Sequence, residues 1–108
     1  MYNSNTATTT DEIRFAWDPW KAERNVAKHC IDFEESSTVF YDPHAKVIPD
    51  PEHSWDEERF IILGMSWKAY LLVVCHCYRE SEGVIRIISA RKATKTESRI
   101  YNQRRNHA

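Results

Sequence analysis

Apolar side chains concentrate in three stretches of the second half of the chain, residues 59–65, 70–78 and 84–90, and their β-branched and aromatic character predicts three strands. The polar segments 66–69 and 79–83 between them are long enough only for tight reversals, so the strands should form an antiparallel meander. Upstream, Phe15-Ala16-Trp17 predicts a short strand. Asp18-Pro19 then supplies a helix N-cap with proline at the first helical position, opening a helix that runs to about His29. Asp32 and Glu35 have the spacing of a capping box for a short helix with Phe33, Ser37 and Phe40 on one face, ended by Asp42-Pro43. Residues 43–56 hold Pro43, Pro49 and Pro51 with five Asp, Glu or His, which predicts loop with a brief edge strand at 46–48. Thr94 and Glu97 form a further capping box for a C-terminal helix to about Arg105. The order β-α-α-β-β-β-α gives an α+β fold, two N-terminal helices and a C-terminal helix against an antiparallel sheet.

Composition changes this picture little. At 108 residues, with 42% apolar and 12% aromatic residues, the chain suits one compact domain, expected over residues 13–108. Residues 1–12 are Asn/Ser/Thr-rich with no basic start or apolar core, and read as a disordered tail rather than a signal peptide. No apolar run approaches membrane-spanning length, so a soluble cytoplasmic protein is expected. Cys75 and Cys77 are too close on one strand to bridge, and with Cys30 they read as reduced thiols.

Charge changes it more. Residues 79–108 carry eight Arg or Lys against three Asp or Glu, whereas residues 1–78 carry seven against thirteen. A polyanion is attracted by a local basic surface and not by the net charge of −1, so contact is expected in the C-terminal third. Arg86 interrupts the β-branched run from Val84 to Ile88, where an uncompensated guanidinium would be costly to bury. If 66–69 and 79–83 are symmetric turns, Arg59 stands opposite His76 and His76 opposite Arg86, one cross-strand row on one face. Such a row suits cleavage of RNA without metal: His76 moves a proton while Arg59 and Arg86 stabilise the charged transition state. Arg91 and Lys92 would hold a neighbouring phosphate. The competing reading pairs Arg59 and Arg86 with Glu57, Glu58 or Glu97 and leaves His76 as a hydrogen-bonded strand residue. Cys75-His76-Cys77 suggests zinc with His44 and His53, but alternation turns His76 away from both thiols, and no metal site is expected.

Two blocks carry a family resemblance. Val84 to Thr94, with Glu97 and Tyr101 beyond, resembles the "RIISAR-KAT-xxE-xxxY" ending of the BrnT toxins of BrnT/BrnA toxin–antitoxin pairs. Residues 15–29 match that family's "F-x-W-D-x-x-K-A-x-x-N-x-x-K-H" opening, Ile31 to Glu35 follow where "I-x-F-E-E" is usual, and Glu57-Glu58-Arg59-Phe60 with Gly64 resembles "E-E-R-F…G". The resemblance implies a RelE-like fold and a ribonuclease toxin that cleaves mRNA without metal or cofactor. It also implies neutralisation by a ribbon–helix–helix antitoxin similar to BrnA, a heterotetramer built on an antitoxin dimer, and operator DNA bound through that antitoxin.

Lys21, Asn25, Lys28 and His29 match the family opening and form a stripe on the first helix, either for RNA or antitoxin or as a solvated face. Lys21, Lys28, Arg91, Lys92 and Tyr101 are accordingly candidate substrate-binding residues, Tyr101 the weakest. Where the family has Gly after "K-H" this chain has Cys30, so the first helix is expected to end differently. An alternative function is a non-catalytic subunit that binds the antitoxin and modulates DNA binding, since acidic side chains satisfy a basic row as phosphate does.

Overall fold

The computed structural model describes residues 13–50, 52, 58–79 and 83–107. The expected tail, residues 1–12, lies outside them. The elements are β1 (Arg14–Ala16), α1 (Pro19–His29), α2 (Phe33–Ser37) continued by a 3-10 turn (Thr38–Tyr41), β2 (Lys46–Pro49), β3 (Phe60–Met65), β4 (Leu71–Arg79), β5 (Val84–Lys92) and α3 (Lys95–Asn106). They build one five-stranded sheet in the order β1-β5-β4-β3-β2. β2 to β5 pair antiparallel as a meander, while β1 joins β5 in parallel, Phe15 beside Ile85.

The helix boundaries follow from local chemistry. Asp18 accepts from the Trp20 amide at 2.9 Å with Pro19 next in the chain, so the proline removes an amide that would have had no partner. The helix does not end differently for want of glycine. Cys30 itself takes the left-handed position at φ 60°, its amide donating to the Val26 carbonyl at 2.9 Å, at a strain of about 1 kcal/mol. Asp32 caps α2 through the Glu35 amide, but the Glu35 carboxylate does not reach back; it accepts from the Ser66 hydroxyl at 2.7 Å and ties α2 to the β3–β4 turn. The Thr94–Glu97 capping box is complete.

The two faces of the sheet are covered unequally. On one, α1, α2 and the 3-10 turn enclose Ile31, Phe33, Val39, Ile62, Leu72, Val74, Ile87 and Ala90, with Phe15, Trp17 and Phe40 at the margin. Each of the large side chains contributes about 1.5–3 kcal/mol by leaving water. Gly64 lets the 3-10 turn approach β3: a Cβ there would lie 3.1 Å from the Val39 carbonyl oxygen. On the other face α3 lays Tyr101 over Leu63 and Val73, a smaller cluster.

The register differs from the symmetric-turn expectation by one residue at both turns. Ser66 pairs with Tyr70, leaving a three-residue loop, and its last member Ala69 sits at φ 66°, the left-handed residue such loops require. Met65 therefore pairs with Leu71 and Phe60 with His76. At the next turn Arg79 pairs with Val84, so Arg86 stands opposite Cys77 and Ile87 opposite His76. A bulge at Ile88 then shifts the pairing again, to Cys75 with Ser89. The row Arg59–His76–Arg86 does not form. For the same reason Ile61 and Leu63 share a face with Val73, not with Leu72 and Val74 as the unslipped register required.

Candidate functional site

β4 divides the candidate chemistry between the two faces. His76 points into the helix-covered core and is 0% exposed. Its Nδ1 lies 3.2 Å from the Val74 carbonyl, which can only accept, so Nδ1 carries the proton; Nε2 then accepts from the Tyr78 hydroxyl at 3.2 Å. The Phe40 ring meets it edge-on at 4.8 Å, and burial holds the imidazole below its ordinary pKa, hence neutral.

Cys75 and Cys77 point to the opposite face, where the part that α3 leaves uncovered forms a groove of about 510 Å³. His29, Asp50, Arg59, Cys75, Ser89 and Arg91 line it, with Glu52 and Ile88. Arg86 is on this face too, opposite Cys77, but outside the groove lining. Arg91 is held by a two-bonded fork to Glu97, both contacts at 2.9 Å, which pulls the Glu97 carboxyl down to about 2 and raises the guanidinium further. Glu97 thus caps α3 and orients a groove cation at once. Burial and the nearby Asp50 charge push the Cys75 thiol up to about 11; it donates to Asp50 at 3.7 Å and is no nucleophile at neutral pH.

A second depression of about 570 Å³ runs along α1 and is lined by Lys21, Arg24, Lys28 and His29. It shares His29, Ile88 and Ser89 with the groove, so the two are continuous across the β5 bulge. The bulge explains the junction, since its extra residue re-aims β5 where α1 ends.

The candidate substrate-binding residues therefore separate. Lys21, Lys28 and Arg91 line this continuous band. Asn25 does not belong to an exposed stripe: it is buried, donating to the Ile31 and Ala90 carbonyls and accepting from the Ala90 amide at 3.0 Å, which stitches α1 to β5. Lys92 pairs across from Leu72, away from the groove, with its ammonium 4.7 Å from the Tyr70 ring centroid. Tyr101 is buried, and its hydroxyl donates to Asp42 at 2.6 Å; burial and that carboxylate push the phenol up to about 12.

Sequence reasoning missed Arg24, Asp50, Glu52 and Ser89 as lining residues. The polar Ser89 at the end of an apolar run was the one visible signal.

A family model described as "Ribonuclease toxin, BrnT, of type II toxin-antitoxin system" matches residues 17–97, which span α1, the groove and the Arg91–Glu97 fork. The chain belongs to the BrnT family. It is thus a member of a ribonuclease toxin family whose type II systems supply an antitoxin partner. Its fold is similar to the crystal structure of the Brucella abortus ribonuclease toxin BrnT, with a TM-score of 0.60 and 24% identity over 78% of this chain and 100% of that one. No curated protein matches the sequence. No helix among the described residues of this BrnT-family chain is long and apolar enough to cross a membrane.

Proposed function

We propose that this chain is an endoribonuclease that cuts single-stranded mRNA without a metal ion, in the groove between His29, Arg59 and Arg91, and so arrests translation and growth. In that reaction the 2′-hydroxyl attacks the adjacent phosphorus, the bond to the 5′-oxygen breaks, and a 2′,3′-cyclic phosphate is left. His29 takes the 2′ proton, and water protonates the departing 5′-oxygen. Arg59 and Arg91 stabilise the charge that builds on the non-bridging oxygens, with Arg86 farther along the same face. Lys21, Arg24 and Lys28 hold flanking phosphates along α1. His76 has a packing role in this reading, and Tyr101 positions α3.

The observation that carries the proposal is the continuity of the groove with the basic depression on α1, which gives a polyanion a path to two guanidinium groups and an imidazole. The antitoxin is proposed to be a ribbon–helix–helix protein similar to BrnA, whose dimer holds two toxin chains, binds operator DNA and covers the same groove with acidic side chains. Partner-free protein should cut single-stranded RNA in EDTA and leave cyclic phosphate ends. Strict magnesium dependence would remove the metal-free mechanism. A folded, partner-free preparation that leaves RNA intact would favour the non-catalytic antitoxin-binding subunit.

A further inference from the structure

The β3–β4 turn displays two aromatic rings that contribute little to the core. Trp67 is 71% exposed and Tyr70 49%. Each has an ammonium beside its ring: Lys68 Nζ lies 5.6 Å from the Trp67 centroid and Lys92 Nζ 4.7 Å from that of Tyr70. The turn that presents them is firmly held. The Ser66 amide donates to the Tyr70 carbonyl at 2.8 Å, the Trp67 amide to Thr38 Oγ1 at 3.0 Å, and the Ser66 hydroxyl to the buried Glu35 carboxylate at 2.7 Å. The other Glu35 oxygen lies 4.0 Å from Lys68 Nζ. A reversal alone is served by small polar residues, and large apolar surface left in water is a cost without return in folding.

We infer that Trp67 and Tyr70, flanked by Lys68 and Lys92, form a stacking platform for unpaired nucleobases of a single-stranded RNA. Every base has a π-face that stacks on an aromatic ring, and the adjoining phosphate takes the lysine. The placement suits an extended substrate. Arg91 and Lys92 are consecutive on β5, Arg91 toward the groove and Lys92 on the opposite face beside Tyr70, so a strand that leaves the groove and passes round the end of the sheet meets the two rings. The platform deepens the proposed ribonuclease function and rests on it: it is a subsite several nucleotides from the scissile phosphate. An acidic peptide would satisfy the lysines but leave the two ring faces unused.

The test measures binding of a single-stranded 2′-O-methyl RNA oligonucleotide, which lacks the attacking hydroxyl, to partner-free protein by fluorescence anisotropy. Trp67→Ala and Tyr70→Ala should each weaken binding about tenfold, as loss of one stacked base does. Trp67→Phe should keep most of the affinity, and the unfolding midpoint should not move, because the ring is exposed. Stacking should also quench tryptophan emission in the wild type more than in Trp67→Phe. Unchanged oligonucleotide affinity in both alanine variants, with wild-type protein that still cuts cleavable RNA, overturns the platform and leaves the ribonuclease reading standing. Weakened binding by the alanine variants, with wild-type protein that cuts no RNA, keeps the platform and removes that reading. Loss of antitoxin affinity with RNA affinity intact overturns the platform in favour of a protein-docking surface.

Discussion

The two faces of the sheet draw on the same strands and end up chemically opposite. On the face beneath α1 and α2, β4 contributes Leu72, Val74 and His76, the imidazole buried neutral between Phe40 and Tyr78. On the other face the same strand contributes Val73 and Cys75, α3 covers only part of the surface, and Arg59, Arg91, Asp50 and His29 surround a groove. Residue type therefore does not assign a role here; register does. A histidine one position along β4 from the cysteine that faces the groove is core, because a one-residue step turns a side chain to the other face.

The comparison breaks most visibly if the groove cations are removed. Arg59→Ala or Arg91→Ala should lower the single-turnover RNA cleavage rate about 10²–10³-fold, the usual loss for one group stabilising a charged transition state. Cleavage assays on folded variants check this, and a loss below about threefold in both would place the chemistry elsewhere. On the covered face the large effect should be on stability. Asn25→Ala strands the Ala90 amide together with two carbonyls and should cost about 3 kcal/mol in chemical denaturation.

His76 sharpens the contrast through pH. Its folded-state pKa is lowered by burial, so below the ordinary imidazole value the unfolded chain binds a proton that the native chain refuses. The stability contributed by neutral His76 is thus fully present above about pH 6.5 and declines as pH falls below it. Denaturation midpoints of wild type and His76→Phe between pH 5 and 8 should show a steeper acid decline in the wild type. Parallel curves would mean that His76 is not held neutral.

The smallest effect should come from Tyr101→Phe. Asp42 keeps the amides of Met65 and His44, so loss of the Tyr101 hydroxyl should cost about 1 kcal/mol and change cleavage by less than about twofold. A tenfold loss of activity at unchanged stability would return Tyr101 to the candidate substrate-binding residues.

How much of this could be read from the chain depended on whether the signal was local. Pro19 after Asp18, and Thr94 with Glu97, announce helix starts because capping is settled within a few residues, and the three apolar runs announce strands by composition. Register is set by turn geometry, and there the local signals are silent. Ala69 occupies a left-handed position that Gly or Asn would have advertised, and the bulge at Ile88 falls inside a β-branched run with no Gly or Pro to mark it. The first moved Arg59 out of register with His76, and the second set Ser89 and Arg91 on the face of Cys75. The parallel pairing of β1 with β5 joins segments far apart in sequence and leaves no local trace. Arg91 was legible as a phosphate-holding cation, and Glu97 as a cap; that the two form one fork was not, because the contact depends on how α3 leaves the sheet.

On the proposed mechanism, catalysis belongs to the open face and not to the histidine of the core. That assignment is tested most directly by the single-turnover cleavage rates of partner-free His29→Ala and His76→Phe on one single-stranded RNA, with folding of both verified by circular dichroism. Loss of a general base costs about 10²–10⁴-fold. His29→Ala should show that loss and His76→Phe a rate within about threefold of wild type; a full rate in His29→Ala with a collapse in His76→Phe would overturn the assignment.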